Sequence, residues 1–166
     1  MQDIEKIYKE NFETVNKYLF CLTKNWDLAE ELTEETFYRA VEKIGKFKGE
    51  SKISTWLCQI AKNSYYDVLR KNKKIVNTEY NLLELEAEES TEEKVILNDE
   101  KITLYKNLQK LDEKTREVIY LKITGELSFK EIGEILNKTE NWARVTFYRG
   151  KQKLKEGDFN ERKKRL

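Results

Sequence analysis

The sequence contains no proline and no histidine. The first absence bears on the fold, and the second bears on the chemistry that the protein can perform. Proline breaks helix interiors, so its absence, together with only six glycines in 166 residues, leaves long helices uninterrupted and predicts an all-α fold. Histidine is the commonest general base and a frequent zinc ligand, so its absence argues against most hydrolytic and zinc-dependent chemistry. The sequence therefore predicts no enzyme, no catalytic residue, no metal site and no cofactor.

Long apolar runs and cysteines are scarce as well. No apolar stretch reaches the roughly 18 residues of a membrane span, and the acidic start over residues 1–5 lacks the features of a signal peptide. We therefore expect no membrane insertion and a cytoplasmic protein. Cys21 and Cys58 are the only cysteines, and each lies within an apolar helical pattern. Both are predicted to fill the core and not to form a disulfide.

Hydrophobic residues make up 39% of the chain and charged residues 38%, which is lean for one large core. Two small helical domains joined by a polar connector fit better. The predicted organisation is a domain over residues 1–75, an acidic linker over 76–100, a second domain over 101–157 and a basic tail over 158–166.

Charge is strongly segregated, although the net charge is only +1. Residues 38–75 contain ten basic and three acidic residues, and residues 138–166 contain ten basic and four acidic. Residues 1–37 contain nine acidic and four basic residues, and residues 79–100 contain nine acidic and one basic. Two basic blocks separated by an acidic one favour two polyanion-binding surfaces, although solvated helix faces would give the same pattern.

Three helices are predicted in the first domain. Apolar residues recur at spacings of three and four over residues 4–22, which indicates an amphipathic helix. Asp27 opens a capping-box pattern with Glu30, which predicts a second helix that runs to about Lys46. Ser54 is the predicted N-cap of a third helix that ends at about Lys73.

The second domain carries the sharpest local signals. Asp112 is predicted to start one helix, and Ser128 with Glu131 forms a capping box that opens a short second one. Asn137 can adopt the left-handed conformation that closes this helix, and Thr139 can cap the helix that follows. A short helix, a tight turn and a second helix constitute a helix-turn-helix motif.

The last predicted helix has an apolar stripe and a polar face. Ala143, Phe147 and Gly150 share the stripe with Leu154. The outward face is predicted to carry Asn141, Trp142, Arg144, Val145, Tyr148 and Arg149. Arginine and asparagine can read base edges in the major groove, so this face favours DNA binding. An ordinary helical hairpin with a charged outer face is the alternative.

Aromatic and basic residues also alternate in the middle block. Trp56, Tyr65 and Tyr66 occur among Lys48, Lys52, Lys62, Arg70 and Lys71. This mixture suits single-stranded nucleic acid, in which bases stack on rings and phosphates are neutralised. Aromatic residues of a small helical domain are often core residues, so both interpretations of Trp56 and Tyr66 stay open here.

Three segments resemble motifs of the extracytoplasmic-function (ECF) sigma factors of the sigma-70 family. Residues 29–37 (AEELTEETF) resemble the helix that binds core RNA polymerase. Residues 47–57 (FKGESKISTWL) and 60–70 are similar to the part that binds the promoter −10 element, and residues 127–136 (LSFKEIGEIL) to the first helix of the −35-binding helix-turn-helix. Glu34 stands where the family often has glutamine, and residues 140–147 lack the common glycine-threonine-valine start. The −35 base preference therefore cannot be copied from other members.

The resemblance implies a non-catalytic initiation factor that directs polymerase to promoters and helps to melt them. Its implied partners are core RNA polymerase (the clamp helices of the largest subunit and the flap of the second-largest), double- and single-stranded promoter DNA, and an anti-sigma factor. The implied polymerase contacts are Glu30, Glu31, Leu32, Glu34, Glu35 and Phe37. The implied −10 contacts are Lys48, Gly49, Glu50, Ser51, Lys52, Trp56, Asn63 and Arg70. The implied −35 contacts are Thr139, Asn141, Trp142, Arg144, Val145, Tyr148 and Arg149.

Two other functions compete with this one. An autonomous helix-turn-helix regulator would bind duplex DNA without polymerase, but it would leave the N-terminal motifs unexplained. A carboxylate-dependent hydrolase needs a nucleophile–base pair or a cluster of metal ligands, and none is apparent in the sequence.

Overall fold

The computed structural model describes residues 3–76 and 99–164. These residues form α-helices, one short 3₁₀ helix and no strand, which confirms the all-α prediction. The helices divide into two compact units, and the division falls between the third and fourth α-helices. Most of the acidic linker predicted over 76–100 lies outside the described residues.

The first unit is a three-helix domain. Its elements are α1 (Ile4–Thr23), α2 (Trp26–Lys43), a 3₁₀ turn (Ile44–Lys46) and α3 (Ile53–Val76). Each helix turns one apolar stripe toward the other two, and the fully buried side chains include Val15, Tyr18, Leu19, Leu57 and Cys58. Burial raises the pKa of the Cys58 thiol to about 12, so this cysteine is an inert core residue, as predicted. Cys21 is only half-buried.

Two of the predicted caps in this domain are wrong. The α2 helix is capped by Asn25, whose Oδ1 accepts a hydrogen bond from the Leu28 amide at 3.1 Å, and not by Asp27. The α3 helix starts at Ile53, because the Lys52 carbonyl already accepts a hydrogen bond from the amide of Trp56 at 3.1 Å. Ser54 therefore lies inside the first turn.

The second unit contains the remaining four helices. They are α4 (Asp99–Gln109), α5 (Glu113–Ile123), α6 (Phe129–Leu136) and α7 (Glu140–Lys164). Asp112 caps α5 as predicted, because its carboxylate accepts hydrogen bonds from the Thr115 amide at 3.1 Å and the Thr115 hydroxyl at 2.5 Å. The hydroxyl bond lowers the pKa of Asp112 most, so the cap is charged near neutral pH.

The α5 helix ends at Ile123, and Glu126 after it adopts the left-handed conformation, with φ of 53°. The end of the unit differs from its prediction. The α7 helix continues to Lys164, through a segment that was predicted as a basic tail. Most residues after position 157 are good helix formers, so nothing local stops the helix there.

Candidate nucleic-acid and protein interfaces

The α2 helix presents an acidic stripe to solvent. Glu30, Glu31, Glu34 and Glu35 are all exposed. Glu34 is also held from the side, because the Tyr8 hydroxyl of α1 donates a hydrogen bond to its Oε1 at 2.9 Å. Desolvation and this hydrogen bond raise the pKa of Tyr8, so the hydroxyl remains protonated as a donor. Tyr8 of α1 thus fixes the position of the Glu34 carboxylate within the stripe.

Leu32 and Phe37 are the other two residues that the resemblance assigns to the polymerase contact, and both are buried. Leu32 is 3% exposed and Phe37 is 7% exposed. The Phe37 ring packs against Tyr8 at 4.8 Å between centroids. Both side chains support the stripe from the core, and Phe37 also lines the apolar groove beside it.

An apolar groove adjoins the stripe, and the residue pattern alone did not reveal it. Tyr38 is 64% exposed and Val41 is 47% exposed, and they follow Glu30 and Glu34 on the same helix face. These side chains line a groove of about 300 Å³, together with Ile4 of α1 and others. In the sequence, the spacing of Val41 fits the apolar side of α2, which would bury it. The packing of α2 instead places Val41 at the edge of the groove, where it is exposed.

The loop before α3 is the candidate single-strand site. Lys48, Gly49, Glu50 and Lys52 are exposed, whereas Ser51 is half-buried. Gly49 has φ of +72°, a conformation that side chains with a Cβ rarely adopt, so the bend of this loop requires glycine.

Two aromatic residues of α3, Trp56 and Tyr66, are not fully buried. Trp56 is half-buried, and its ring lies 4.9 Å from that of Phe47. Tyr66 is half-buried as well, with the Lys62 ammonium 5.8 Å from its ring centroid. Neither Trp56 nor Tyr66 is fully buried, so part of each ring is accessible to solvent. Asn63 and Arg70, seven residues apart on α3, are exposed on one face of that helix.

The helix-turn-helix forms as the sequence predicts. The Ser128 hydroxyl accepts a hydrogen bond from the Glu131 amide at 3.1 Å, and the Glu131 carboxylate accepts one from the Ser128 amide at 2.7 Å. Asn137 closes α6 in the left-handed conformation with φ of 55°. Thr139 then caps α7, because its hydroxyl accepts a hydrogen bond from the Trp142 amide at 3.0 Å. These four residues fix the turn that orients α7.

The outer face of α7 is available to a ligand. Exposed residues on and just before its first three turns include Thr139, Asn141, Arg144, Val145, Tyr148 and Arg149. Trp142 is half-buried, and the Lys138 ammonium lies 5.5 Å from its ring centroid. Ala143 and Phe147 are buried on the opposite face. The face is polar, cationic and aromatic, as major-groove recognition requires.

Arg144 is restrained by two neighbours. Its Nη2 donates to the Glu140 carboxylate at 3.0 Å, and its guanidinium carbon lies 5.5 Å from the centroid of the Phe129 ring at the start of α6. The Lys122 ammonium lies 4.4 Å from the same ring centroid. Cation–π contacts of this kind contribute about 0.5–1 kcal/mol at exposed sites. Arg144 therefore approaches a ligand from a preferred orientation.

Within residues 3–76 and 99–164, no helix is both long enough and apolar enough to cross a membrane. The same residues contain no group of three or more cysteine, aspartate and glutamate side chains that could hold a metal ion.

Two family models match the chain, one in each compact unit. Sigma-70 region 2 matches residues 7–75, which span α1 to α3. Sigma-70, region 4 matches residues 102–154, which include the helix-turn-helix.

Individual proteins are similar over nearly the whole length. The chain is 32% identical over 152 residues to the ECF RNA polymerase sigma factor SigM of Bacillus subtilis (strain 168), which covers 92% of this chain and 93% of SigM. It is also 32% identical over 164 residues to SigW, an ECF RNA polymerase sigma factor of the same organism, with 92% and 86% covered. The solved structure of the sigma factor RpoE from Bartonella quintana, in complex with the anti-sigma factor NepR, has a similar fold. The TM-score is 0.73 at 19% identity, with 95% of this chain and 97% of that one covered.

Proposed function

The chain belongs to the sigma-70 family of RNA polymerase sigma factors, within its ECF group, and we propose that it divides promoter recognition among three surfaces. The acidic stripe of α2 binds core polymerase, the loop before α3 together with α3 binds the −10 element, and the outer face of α7 binds the −35 element. The protein supplies no catalytic group, because polymerase performs the chemistry. It acts in the cytoplasm, where polymerase meets promoters.

The observation that carries this proposal is that α2 exposes an acidic stripe whereas α7 exposes a cationic face. A duplex-binding regulator needs only the cationic face of α7. The first domain adds an exposed acidic stripe, which suits a basic protein surface and repels DNA phosphates. A DNA-binding protein with such a stripe is suited to bind a second macromolecule through it.

For the polymerase side we assign Glu30, Glu31, Glu34 and Glu35, with Tyr38 and Val41 at the apolar end. Complementary charge steers docking, and the partly buried apolar rim adds contact area. The clamp helices of the largest subunit are the proposed partner. The flap of the second-largest subunit is the proposed partner of the second domain.

On the DNA side, a flipped nontemplate base is read by the loop pocket of Lys48, Gly49, Glu50, Ser51 and Lys52, since an extruded base is recognised by a pocket and not by a groove-bound helix. Trp56, Asn63 and Arg70 contact the melted strand beside it. Stacking on a ring contributes about 1–3 kcal/mol per base.

The direct test is run-off transcription with core polymerase on a library of genomic fragments, followed by mapping of start sites. We expect new start sites that depend on this protein and share upstream −10 and −35 elements. Duplex DNA binding without polymerase, and no new start sites, would favour the autonomous regulator.

Replacing Glu34 with lysine should weaken core binding by about tenfold or more. The substitution places a positive charge against a basic partner surface, and like-charge contacts across an interface are penalised by several kcal/mol. The measurement is competition for core polymerase at moderate salt. Glu10→Lys on α1 is the matched control, since it makes the same charge change at an exposed position outside the stripe. Equal affinities of the two variants would contradict the assignment.

Exchanging residues 47–54 for those of another ECF sigma factor should transfer the −10 preference and leave the −35 preference unchanged. The loop reads the flipped base, whereas the −35 element is read by another domain. Start-site mapping on promoters with paired −10 and −35 substitutions measures both. If the grafted protein retains its original −10 preference, the pocket assignment is wrong.

We also propose an anti-sigma factor as a regulatory partner that covers the groove of Tyr38 and Val41. The support is the exposure of these apolar side chains in the free protein. A partner recovered with the protein should be displaced by excess core polymerase and should lose affinity for the Tyr38→Glu variant. A partner insensitive to both would bind elsewhere.

A further inference from the structure

Four charged side chains of the first domain form a continuous network from one proposed interface to another. Glu35 and Arg39 belong to α2, and Asp67 and Arg70 to α3. The Arg39 Nε donates to Glu35 Oε1 at 2.7 Å, and its Nη1 donates to Asp67 Oδ2 at 2.9 Å. The other oxygen of Asp67, Oδ1, accepts a hydrogen bond from Arg70 Nη2. We name these four side chains the charge network.

The centre of the charge network is shielded and its ends are open. The side chains of Arg39 and Asp67 are 28% and 32% exposed, whereas those of Glu35 and Arg70 are 45% and 70% exposed. Hydrogen bonds from Arg39, and then from Arg70, lower the pKa of Asp67. Asp67 is therefore charged at neutral pH, and both ends of the network can contact a partner.

The ends also lie in different proposed interfaces. Glu35 belongs to the polymerase-binding stripe, and Arg70 belongs to the −10 surface. In the free protein, one guanidinium nitrogen of Arg70 is bound to Asp67 and cannot donate that hydrogen bond to a DNA phosphate. Asp67 in turn divides its two oxygens between two arginines, so Arg39 and Arg70 compete for one carboxylate.

We propose that the charge network couples polymerase docking to the availability of Arg70 for the −10 strand, with Arg39 and Asp67 as positioning residues. A basic polymerase group at Glu35 competes with Arg39 for that carboxylate. Arg39 then turns its donors more fully to Asp67, and Asp67 loosens its hold on Arg70. Because coupling between two binding sites is reciprocal, the −10 strand strengthens polymerase binding by the same factor. The inference rests on the proposed roles of Glu35 and Arg70.

The structural alternative is a brace that only ties α2 to α3. Breaking a brace loosens the domain, so every variant would lose DNA affinity in both the free and the polymerase-bound protein. Coupling instead predicts opposite effects for the two central residues. Removing the Asp67 carboxylate frees Arg70 before polymerase docks. Removing Arg39 leaves Arg70 bound to Asp67 even after polymerase has docked.

The experiment measures the affinity of a single-stranded oligonucleotide that spans the −10 element of a promoter mapped by run-off transcription. Both the free full-length protein and its holoenzyme are titrated. Asp67→Asn should raise the affinity of the free protein by about threefold to fivefold, which is the size expected for one partly exposed ion pair, and should leave the holoenzyme near wild type. Arg39→Met should lower the affinity of the holoenzyme by a similar factor and leave the free protein nearly unchanged.

Matched controls come from the Glu13–Lys17 ion pair on α1, which makes no contact with the charge network. Glu13→Gln and Lys17→Met repeat the two charge changes and should shift neither affinity. Arg70→Ala tests the −10 role of Arg70 separately from the coupling. If it leaves holoenzyme affinity unchanged, the proposed −10 role of Arg70 is wrong and the coupling with it. If it weakens binding while Asp67→Asn and Arg39→Met both lower affinity in both states, the coupling alone is overturned.

Discussion

Alanine at Gly133 is expected to destabilise the helix-turn-helix domain by about 2 kcal/mol and to weaken −35 binding. A Cβ at this position would lie 2.7 Å from the Lys138 carbonyl oxygen and 3.1 Å from the carbonyl carbon of Thr139. Both are backbone atoms of the turn, so no side chain can swing away. Overpacking of this kind costs up to about 3 kcal/mol, and the gain in helix propensity from glycine to alanine returns only about 1 kcal/mol.

The turn cannot relax cheaply, because it is fixed at several points. The Lys138 amide donates to the Gly133 carbonyl at 2.8 Å, and Asn137 is already in the left-handed conformation. Hydrogen exchange of amides in α6 and α7 measures the loss. Gly45→Ala is the control, since a Cβ there meets nothing within 4 Å. Core-polymerase binding should survive Gly133→Ala, and unchanged protection of α6 would show that the turn tolerates the methyl group.

The turn chemistry of this motif was predictable from the sequence for a physical reason. A capping box depends only on two residues three positions apart, so the identities of Ser128 and Glu131 are enough to predict it. Asn137 and Thr139 likewise act on their own backbone or on amides within one turn. All four predictions are confirmed by local hydrogen bonds or by dihedral angles.

The caps of the first domain were not predicted correctly from the sequence. Asn25, two residues before Asp27, caps α2 instead. Asn25 is held at this position because its backbone N–H donates a hydrogen bond to the Thr23 hydroxyl at 3.2 Å and because the ring of Trp26 stacks on that of Phe20, with 3.8 Å between centroids. A contact with the preceding helix thus decides where α2 begins, and residue spacing within α2 cannot show that.

Residue spacing also could not predict which residues of the proposed polymerase surface are exposed. The motif at residues 29–37 predicted the acidic members of the stripe. It could not separate them from Leu32 and Phe37, because the rotation of α2 about its axis is set by α1 and α3. That rotation buries these two residues and exposes Tyr38 instead.

Arg144→Ala is expected to remove most of the discrimination between cognate and scrambled −35 elements, a loss of about 10- to 100-fold. An arginine at a base edge makes a paired hydrogen bond to guanine that is worth about 1–3 kcal/mol. Arg144 lies in the second turn of α7, near the end that enters the groove. Its ion pair with Glu140 and its contact with Phe129 restrict its rotamers, so less entropy is lost when it binds.

Arg149→Ala should behave differently, because we assign Arg149 to a phosphate. An arginine on a phosphate strengthens binding to every sequence, so its loss should weaken cognate and scrambled DNA by a similar factor and lower the salt slope by about one. Arg144→Lys is the matched control: it keeps the charge but loses the planar fork, and so should keep the salt slope and lose discrimination. Promoter binding by each holoenzyme over a salt series measures both quantities. A variant at 144 that keeps the cognate-to-scrambled ratio, or one at 149 that loses it, would reverse the assignment, because discrimination belongs to the side chain that reaches the base edge.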